Sequence, residues 1–198
     1  MVYCYRGRII RTSRQSIVRS YLFEILETIL MGLAVYIIVS TSIQTVKVDG
    51  ESMDPTLEHG QHLIVNKIVY LKLPFQFRDG SVNSGADRFL FFSNPSFGDM
   101  IVFHLSEQPT RDLVKRVIGV PGDIVSMQNG VVYVNGVLLQ EPYINHRGNG
   151  QVIPTLVQPG HYYVLGDNRV ASSDSRLLGQ IPQENIVGKA WLAYWPLS

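Results

Sequence analysis

Residues 124–140 read IVSMQNGVVYVNGVLLQ, and this stretch indicates the class of the fold. An Asn-Gly pair between alternating apolar residues is a strong signal for a two-residue β-hairpin turn. Here the pair occurs twice, at Asn129-Gly130 and at Asn135-Gly136. The valine-rich segments on either side have the length of strands. The stretch therefore predicts a small antiparallel β-ribbon.

The same pattern of short apolar runs continues on both sides of the ribbon. From Gln44 onward, runs of valine, isoleucine, tyrosine and phenylalanine alternate with glycine and proline, which is typical of β-strands. This part of the sequence shows no long amphipathic helix and no internal repeat. We predict strands at residues 45–48, 62–69, 100–104, 113–120, 124–128, 131–134, 162–165 and 186–194. The pattern indicates a mainly β domain.

Residues 75–97 differ from their surroundings, because they mix glycine, serine, asparagine and aspartate with phenylalanine. A loop of this length inside a compact domain is usually functional or mobile. Its aromatic cluster, Phe89, Phe91 and Phe92, has two interpretations. Either the rings pack on the β core, or they insert into a membrane surface, where exposed aromatic side chains are favourable. The sequence leaves both open.

Residues 25–43, ILETILMGLAVYIIVSTSI, form a long apolar stretch. As a helix it spans about 28 Å, close to the roughly 30 Å of a bilayer's hydrocarbon core. A buried core helix would show polar residues at helical spacing, and residues 28–39 have almost none. A cleaved signal peptide is the stronger alternative, since residues 40–42 are small. We favour a retained transmembrane anchor.

Basic residues are distributed unequally around this stretch. The first 19 residues contain five arginines and no acidic residue, whereas the 19 residues after Ile43 contain one basic residue, Lys47. The positive-inside rule places the N-terminal tail in the cytoplasm and everything after Ile43 outside. The arginines alone would also suit a nucleic-acid-binding tail, and the adjacent apolar stretch argues against this. The single cysteine, Cys4, allows no intramolecular disulfide and is a conceivable palmitoylation site.

These features predict three segments. They are a cytoplasmic basic tail at 1–20, a transmembrane anchor at 21–43 and an extracytoplasmic β domain at 44–198, with a small subdomain at about 124–160. The chain is therefore predicted to be a single-pass membrane protein whose β domain lies on the periplasmic or lumenal side.

Two short motifs contain candidate catalytic residues. GESMDPTL at 50–57 places Ser52 just after a short apolar strand and before Pro55, although a serine near a proline is usually only a turn residue. VKRVIGVPGD at 114–123 places Lys115 in an apolar run. A lysine there either extends its amine to solvent or loses hydration, which lowers its pKa towards a neutral amine. Lys115 is thus a candidate general base.

A third motif, GDNRVASSDSRLLG at 166–179, is dense in hydroxyl groups and opposite charges. The spacing allows Asp167 to pair with Arg169, and Asp174 with Arg176. Exposed ion pairs in a surface turn would have little consequence. The functional alternative is a scaffold that sets the geometry of a neighbouring lysine.

Together, and in this order after an apolar anchor, GESMDPTL, FGDMIVF (97–103), VKRVIGVPGD and GDNRVASSDSRLLG resemble the motifs of bacterial type I signal peptidases. The resemblance extends from the anchor to near the C-terminus, except for residues 75–96 and about 140–160. It implies antiparallel sheets around a coiled, β-barrel-like catalytic core with a small β-ribbon appendage, preceded by one transmembrane helix. It also implies a serine endopeptidase that removes signal peptides after Ala-x-Ala-like sites through an acyl-enzyme.

The resemblance assigns roles to individual residues. It makes Ser52 the nucleophile and Lys115 the general base. Residues that would support or orient this pair are Ser172, Asp174, Arg176, Asp167 and Arg116. Shallow apolar pockets for small substrate side chains would involve Val48, Leu57, Val114 and Met53.

One position departs from many members of that family, which carry a serine two residues before the nucleophile. Gly50 stands there, so stabilisation of the oxyanion would rely on backbone N–H groups, chiefly that of Ser52. No metal and no other cofactor is implied, and the five histidines show no recognisable metal spacing. The implied partners are pre-proteins with signal peptides and the lipid bilayer, without nucleic acid.

Two other functions share part of this pattern. Self-cleaving repressors share the Ser-Lys chemistry and the catalytic fold, but they carry a DNA-binding domain and no membrane span. A catalytically inactive, membrane-tethered binding domain would need neither Ser52 nor Lys115. The apolar anchor argues against the first function, and the intact pair argues against the second.

Overall fold

The computed structural model describes residues 14–70, 72–74, 89–91, 93–105 and 108–195. The chain divides into two compact units between Thr41 and Ser42. In its described part the first unit consists of helix α1 (Arg14–Ser42) as far as Thr41. Its segment Tyr21–Ser42 is long and apolar enough to cross a membrane, with a mean hydropathy of 2.2. The prediction of an N-terminal apolar helix is confirmed, and the predicted segment boundaries at 20 and 43 stay predictions.

The second unit is mainly β, as predicted. Its strands in chain order are β1 (Ile43–Lys47), β2 (His62–Asn66), β3 (Lys72–Pro74), β4 (Phe89–Phe91), β5 (Met100–Leu105), β6 (Gln108–Gly119), β7 (Ile124–Gln128), β8 (Val131–Val134), β9 (Val137–Leu138), β10 (Val152–Leu156), β11 (His161–Leu165), β12 (Ile181–Pro182) and β13 (Ile186–Trp195). Its helical structure, within the described residues, consists of α2 (Ser175–Leu178) and two 3-10 turns, Ile68–Tyr70 and Gln183–Asn185.

Two antiparallel sheets form most of this unit. The larger has the strand order β1-β2-β13-β5-β6-β11-β12, and all of its neighbouring strands are antiparallel. The smaller has the order β10-β7-β8-β9 and contains the predicted ribbon. A further antiparallel pair joins β3 and β4.

Both Asn-Gly turns lie where the sequence predicts them. Asn129 and Gly130 have φ values of 48° and 75°, and Asn135 and Gly136 have φ values of 54° and 79°. Positive φ at both central residues is the type I′ geometry, which matches the twist of the flanking strands. The local sequence therefore determines the order and register of β7, β8 and β9.

Some strand boundaries differ from the predictions. The strand predicted at 62–69 ends at Asn66, because Asn66 Oδ1 accepts hydrogen bonds from the backbone N–H groups of Ile68 and Val69 and turns the chain. β6 begins at Gln108 rather than at residue 113, because its first half pairs with the end of β5. The short strands β3, β4, β10 and β12 are not among the predicted strands.

The predicted loop at 75–97 contains secondary structure. Phe89 and Phe91 belong to β4, which pairs with β3. Phe92 and residues 75–88 lie outside the described residues. The two interpretations of the aromatic cluster therefore stay predictions.

Three clusters of buried apolar side chains form the core of the second unit, and β6 contributes to all of them. Val114 belongs to the first cluster, Val117 to the second and Ile118 to the third. The third cluster also joins the smaller sheet to Tyr163 and Leu165 of β11. Because burial of apolar surface drives folding, β6 is held from both faces. This strand carries Lys115.

Candidate active site

Ser52 lies in a tight loop between β1 and β2. The two strands continue to pair as far as Val48, whose N–H donates to Gln61 O at 2.8 Å. Inside the loop, Met53 and Leu57 are buried, whereas Ser52 is partly exposed. The local sequence therefore presents a hydroxyl at the surface of a loop that is anchored in the core.

Lys115 reaches this hydroxyl from β6. Its Nζ lies 2.6 Å from Ser52 Oγ and donates to Val114 O at 2.9 Å, and the residue is only 2% exposed. Burial lowers the pKa of the Lys115 amine to about 8 and outweighs the opposing charge of Asp174. A substantial neutral fraction of the amine therefore exists near physiological pH, in hydrogen-bond contact with Ser52.

Asp174 is fully buried and organises the third motif. Its carboxylate accepts bonds from Arg176 Nε and Nη2, both at 2.8 Å, and from Gly166 N–H at 3.0 Å. It also caps α2 by accepting from Arg176 N–H. Burial alone would raise the pKa of Asp174, but these bonds hold it below its ordinary value. The pairing of Asp174 with Arg176 agrees with the sequence-based hypothesis.

Ser172, a predicted orienting residue, forms no hydrogen bond to Lys115 in the structure. Within the described residues, Ser172 Oγ is buried without a hydrogen-bond partner. The hydroxyl helps to lower the pKa of Asp174 without reaching hydrogen-bond geometry. A β-carbon on Gly166 would overlap both Ser172 Oγ and the backbone oxygen of Ser52, so Ser172 lies beside the nucleophile loop. An orienting role for Ser172 stays a prediction.

Asp167 connects the three motifs, and its partner differs from the predicted one. Arg116 donates to both carboxylate oxygens, from Nε at 2.8 Å and from Nη2 at 2.6 Å. Thr56 Oγ1 donates to the same carboxylate at 2.5 Å. The predicted pairing of Asp167 with Arg169 is therefore wrong, because the planar guanidinium of Arg116 occupies both oxygens. Next to Asp167, Asn168 N–H donates to Ser52 O at 3.1 Å.

Sequence reasoning missed a second buried ion pair beside the site. Arg169 and Glu141 are both almost fully buried and form a two-pronged salt bridge, with Arg169 Nη1 3.3 Å from Glu141 Oε2. Tyr143 donates to Glu141 Oε1 at 3.1 Å, and its ring lies 4.1 Å from the guanidinium carbon of Arg116. Two residues that follow β9 thus contact both arginines beside Asp167. Glu141 pairs with Arg169, and Tyr143 stacks on Arg116.

We expect Glu141→Gln to destabilise the second unit by about 3–5 kcal/mol. The substitution leaves the Arg169 guanidinium buried without a counter-charge, which is much more costly than the loss of an exposed pair. Chemical denaturation of the full chain in detergent measures the difference, with the exposed Glu184→Gln as control. A Glu141→Gln protein within about 0.5 kcal/mol of the control would contradict a structural role for the pair.

The four predicted substrate-contact residues lie together. Val48, Met53, Leu57 and Val114 belong to one buried cluster that surrounds the base of the Ser52 loop. Their exposed fractions are between 1% and 8%, so only small parts of their side chains reach the surface. Their contact with a substrate stays a prediction.

Two further features of the described residues bear on ligands. They contain no group of three or more His, Cys, Asp and Glu side chains that could hold a metal ion. An open cleft of about 620 Å³ is lined by residues of β10, β11 and α2. It is lined by residues such as Gln151, Tyr163 and Arg176 rather than by Ser52 and Lys115, so the candidate catalytic pair does not lie in this cleft.

Comparison with known proteins identifies the family. Residues 22–195 match the family model described as "Signal peptidase, peptidase S26". Signal peptidase IB of Staphylococcus aureus is 38% identical over 169 residues, covering 76% of this chain and 77% of the relative. Signal peptidase I of Bacillus caldolyticus is 40% identical over 165 residues, covering 76% and 79%. The crystal structure of a signal peptidase I from Enterococcus faecalis is 30% identical with a TM-score of 0.44, covering 50% of this chain and 98% of that chain.

The mainly β fold, with its two antiparallel sheets and its N-terminal apolar helix, together with these matches, defines the class as a serine peptidase. Within that class, the chain belongs to the signal peptidase family, because the family model covers most of its length.

Proposed function

We propose that the chain is a type I signal peptidase in which Ser52 is the nucleophile and Lys115 is the general base. The observation that carries this proposal is the 2.6 Å separation of Lys115 Nζ and Ser52 Oγ, with the amine buried and its pKa lowered to about 8. A lysine with this environment can accept a proton from the hydroxyl that it contacts. The substrates are exported pre-proteins that carry signal peptides.

In the proposed mechanism the neutral Lys115 amine accepts the Ser52 hydroxyl proton while Oγ attacks the scissile carbonyl carbon. The tetrahedral species collapses, the C–N bond breaks, and the leaving amine takes the proton from the Lys115 ammonium. An ester between Ser52 and the signal peptide remains. Lys115 then deprotonates a water that attacks the ester carbonyl, and the Ser52 hydroxyl is regenerated. Each proton that Lys115 accepts is returned within the cycle.

The oxyanion of the tetrahedral species needs preorganised donors. Within the described part of the chain, no residue accepts a hydrogen bond from the Ser52 backbone N–H, which leaves this donor for the substrate. The Gly50 N–H is already bonded to His59 Nδ1 at 3.0 Å. We therefore assign the Ser52 N–H as the first oxyanion donor. Loss of one such donor typically costs 10²–10³-fold in rate.

The apolar cluster below the loop supports a preference for small side chains before the cut. Val114 directly precedes Lys115, and Val48 belongs to the same buried cluster as Val114. Both side chains are almost entirely packed against other core residues. Such a surface offers shallow apolar depressions rather than a deep pocket. Ala-x-Ala-like sites fit this shape.

We also propose that α1 is a membrane anchor with the arginine-rich tail in the cytoplasm. The apolar segment Tyr21–Ser42 and the arginines that precede it support this orientation. Protease added outside intact spheroplasts should then digest the β domain and spare the tail. Protection of the β domain would reverse the orientation.

The proposed activity is tested with a synthetic peptide that contains an Ala-x-Ala site, incubated with the detergent-solubilised full chain. Mass spectrometry should show one cut after the second alanine, and replacing that alanine with tryptophan should abolish it. Added hydroxylamine should yield the hydroxamate of the signal-peptide fragment, because it competes with water for the ester. Intact peptide under all conditions would support an inactive binding domain instead. Cleavage only within the chain itself would support a repressor-like self-cleavage.

We expect Gly166→Ala to lower kcat/KM by about 10²-fold. Its β-carbon would overlap the Ser52 carbonyl oxygen and Ser172 Oγ, so the loop with the nucleophile has to shift relative to Lys115. A displacement of about 1 Å from a reactive geometry typically has a cost of this size. Peptide cleavage by the two proteins measures the effect.

The matched control for this substitution is Gly32→Ala in α1, where a β-carbon meets nothing within 4 Å. This variant should cleave at the wild-type rate. If Gly166→Ala were as active as the control, the close contact between the third motif and the Ser52 loop would not matter for catalysis.

A further inference from the structure

The base of the Ser52 loop is held by a histidine. Gly50 N–H donates to His59 Nδ1 at 3.0 Å across the neck of the loop. This bond follows directly after the last backbone pairs of the two strands, Val48 with Gln61 and with Gly60. His59 therefore closes the loop one step nearer to Ser52 than the β-sheet does.

The other end of the loop is fixed by different contacts. Ser52 O accepts from Asn168 N–H at 3.1 Å, and Thr56 donates to Asp167 at 2.5 Å. Between these contacts and the strands, residues 49–51 form one hydrogen bond to a side chain, in which His59 Nδ1 accepts from Gly50 N–H. Gly50 has a φ of 105°, a conformation that only glycine adopts without strain. Its amide direction is therefore determined by the histidine more than by local sterics.

We propose that neutral His59 is a positioning residue for Ser52 and that its protonation releases the Gly50 amide and lowers catalysis. This rests on the proposed function of Ser52 and Lys115. An Nδ1 that accepts a bond has no proton, so the ring must be neutral with its proton on Nε2. Once Nδ1 is protonated, it faces the Gly50 N–H donor and the bond is lost.

A second group is placed to stabilise the released state. Asp49 Oδ1 lies 3.7 Å from His59 Nδ1, so a protonated ring has a carboxylate beside it. The remaining ionisable side chains of the loop, Glu51, Asp54 and Glu58, are all exposed. Histidine side chains in general change their charge between about pH 5 and 8. The loop is thus sensitive to acid independently of Lys115.

The test compares pH profiles of kcat/KM for peptide cleavage between pH 5 and 9. In wild type and in every active variant, kcat/KM should fall about tenfold per pH unit below pH 8, because Lys115 becomes protonated. Towards pH 5, kcat/KM of wild type should fall more steeply than this slope, by up to about a further tenfold. His59→Asn should keep wild-type activity at pH 8 within about threefold and lose the extra steepness, because its Oδ1 accepts from Gly50 N–H at any pH.

Two more variants complete the comparison. His59→Leu has no acceptor and should be about tenfold less active than wild type at pH 8, again without the extra acid limb. The exposed His146→Asn should behave as wild type throughout. In addition, the amide resonance of Gly50 in ¹⁵N-labelled protein should shift with pH in wild type and stay constant in His59→Asn.

The outcomes separate this inference from the proposed function. Wild-type rates and profile in His59→Leu, or a Gly50 resonance that does not respond to pH, would overturn the role of His59. If kcat/KM did not fall below pH 8 in wild type or in any variant, Lys115 would be excluded as the base. The Gly50 resonance would still report on His59 in that case.

Discussion

Ser52→Ala is expected to lower the rate of signal-peptide cleavage by at least about 10⁴-fold. Without Oγ no ester forms, and Lys115 can only assist a water molecule that the loop does not position. In serine peptidases, loss of the nucleophile typically leaves only the residual contribution of binding and oxyanion stabilisation. The peptide should still bind, because the apolar cluster around Val48 and Val114 is unchanged.

Single-turnover cleavage in detergent measures this loss, and isothermal titration with the uncleaved peptide measures binding. Ser173→Ala is the control, because Ser173 is an exposed serine of the third motif. A Ser52→Ala protein that cleaves within tenfold of this control would exclude Ser52 as nucleophile. An inactive variant that also fails to bind would show that the loop had been disrupted instead.

The elements that the sequence predicts well are those determined by local chemistry. The Asn-Gly turns fix φ at two positions each, so the ribbon of β7, β8 and β9 follows from a few neighbouring residues. Strands β5, β6 and β11 of the larger sheet also appear as short apolar runs, because consecutive residues on both of their faces are buried. The strand at 62–69 was predicted too long since Asn66 bonds to its own backbone, which competes with the sheet.

The contacts around the site depend on distant parts of the chain and could not be predicted in the same way. Asp167 and Arg169 suggested a local ion pair, but each pairs with a residue from another segment. Glu141 gives no signal of its own, since a lone acid after a short strand resembles a surface residue. Its partner becomes visible only when folding brings it beside Arg169. The sequence around His59 indicates no role for this residue, because its bond to Gly50 exists only in the closed loop.

The same distinction applies to Lys115. Its apolar neighbours predict burial, and the structure shows that it is only 2% exposed. What the sequence could not provide is the balance between burial and the nearby carboxylates. Burial exceeds the opposing effects of Asp174 and Asp167, so the pKa is lowered to about 8 rather than raised. This balance decides whether the residue serves as a base.

Lys115→Arg is therefore expected to lower kcat/KM by about 10³–10⁴-fold at pH 8, although it keeps a positive charge at the same position. A guanidinium does not lose its proton at working pH, so it cannot accept one from Ser52. For wild type, kcat/KM should rise about tenfold per pH unit just below pH 8, above the steeper acid limb that His59 adds, and level off above pH 8, because only the neutral amine is active. Residual activity in Lys115→Arg should lack this dependence.

Lys67→Arg, at an exposed position, is the control and should match wild type at every pH. Lys115→Met separates loss of the base from loss of the fold. The folded-state pKa of Lys115 lies below the ordinary value of 10.5, so the folded protein binds fewer protons and becomes more stable as pH rises from 8 to 10.5. At pH 7 the buried charge thus costs about 3 kcal/mol. Lys115→Met should be inactive yet more stable than wild type at pH 7, with the difference disappearing towards pH 10.5. An active Lys115→Arg protein, or a wild-type rate that is constant from pH 6 to 9, would show that another group accepts the proton from Ser52.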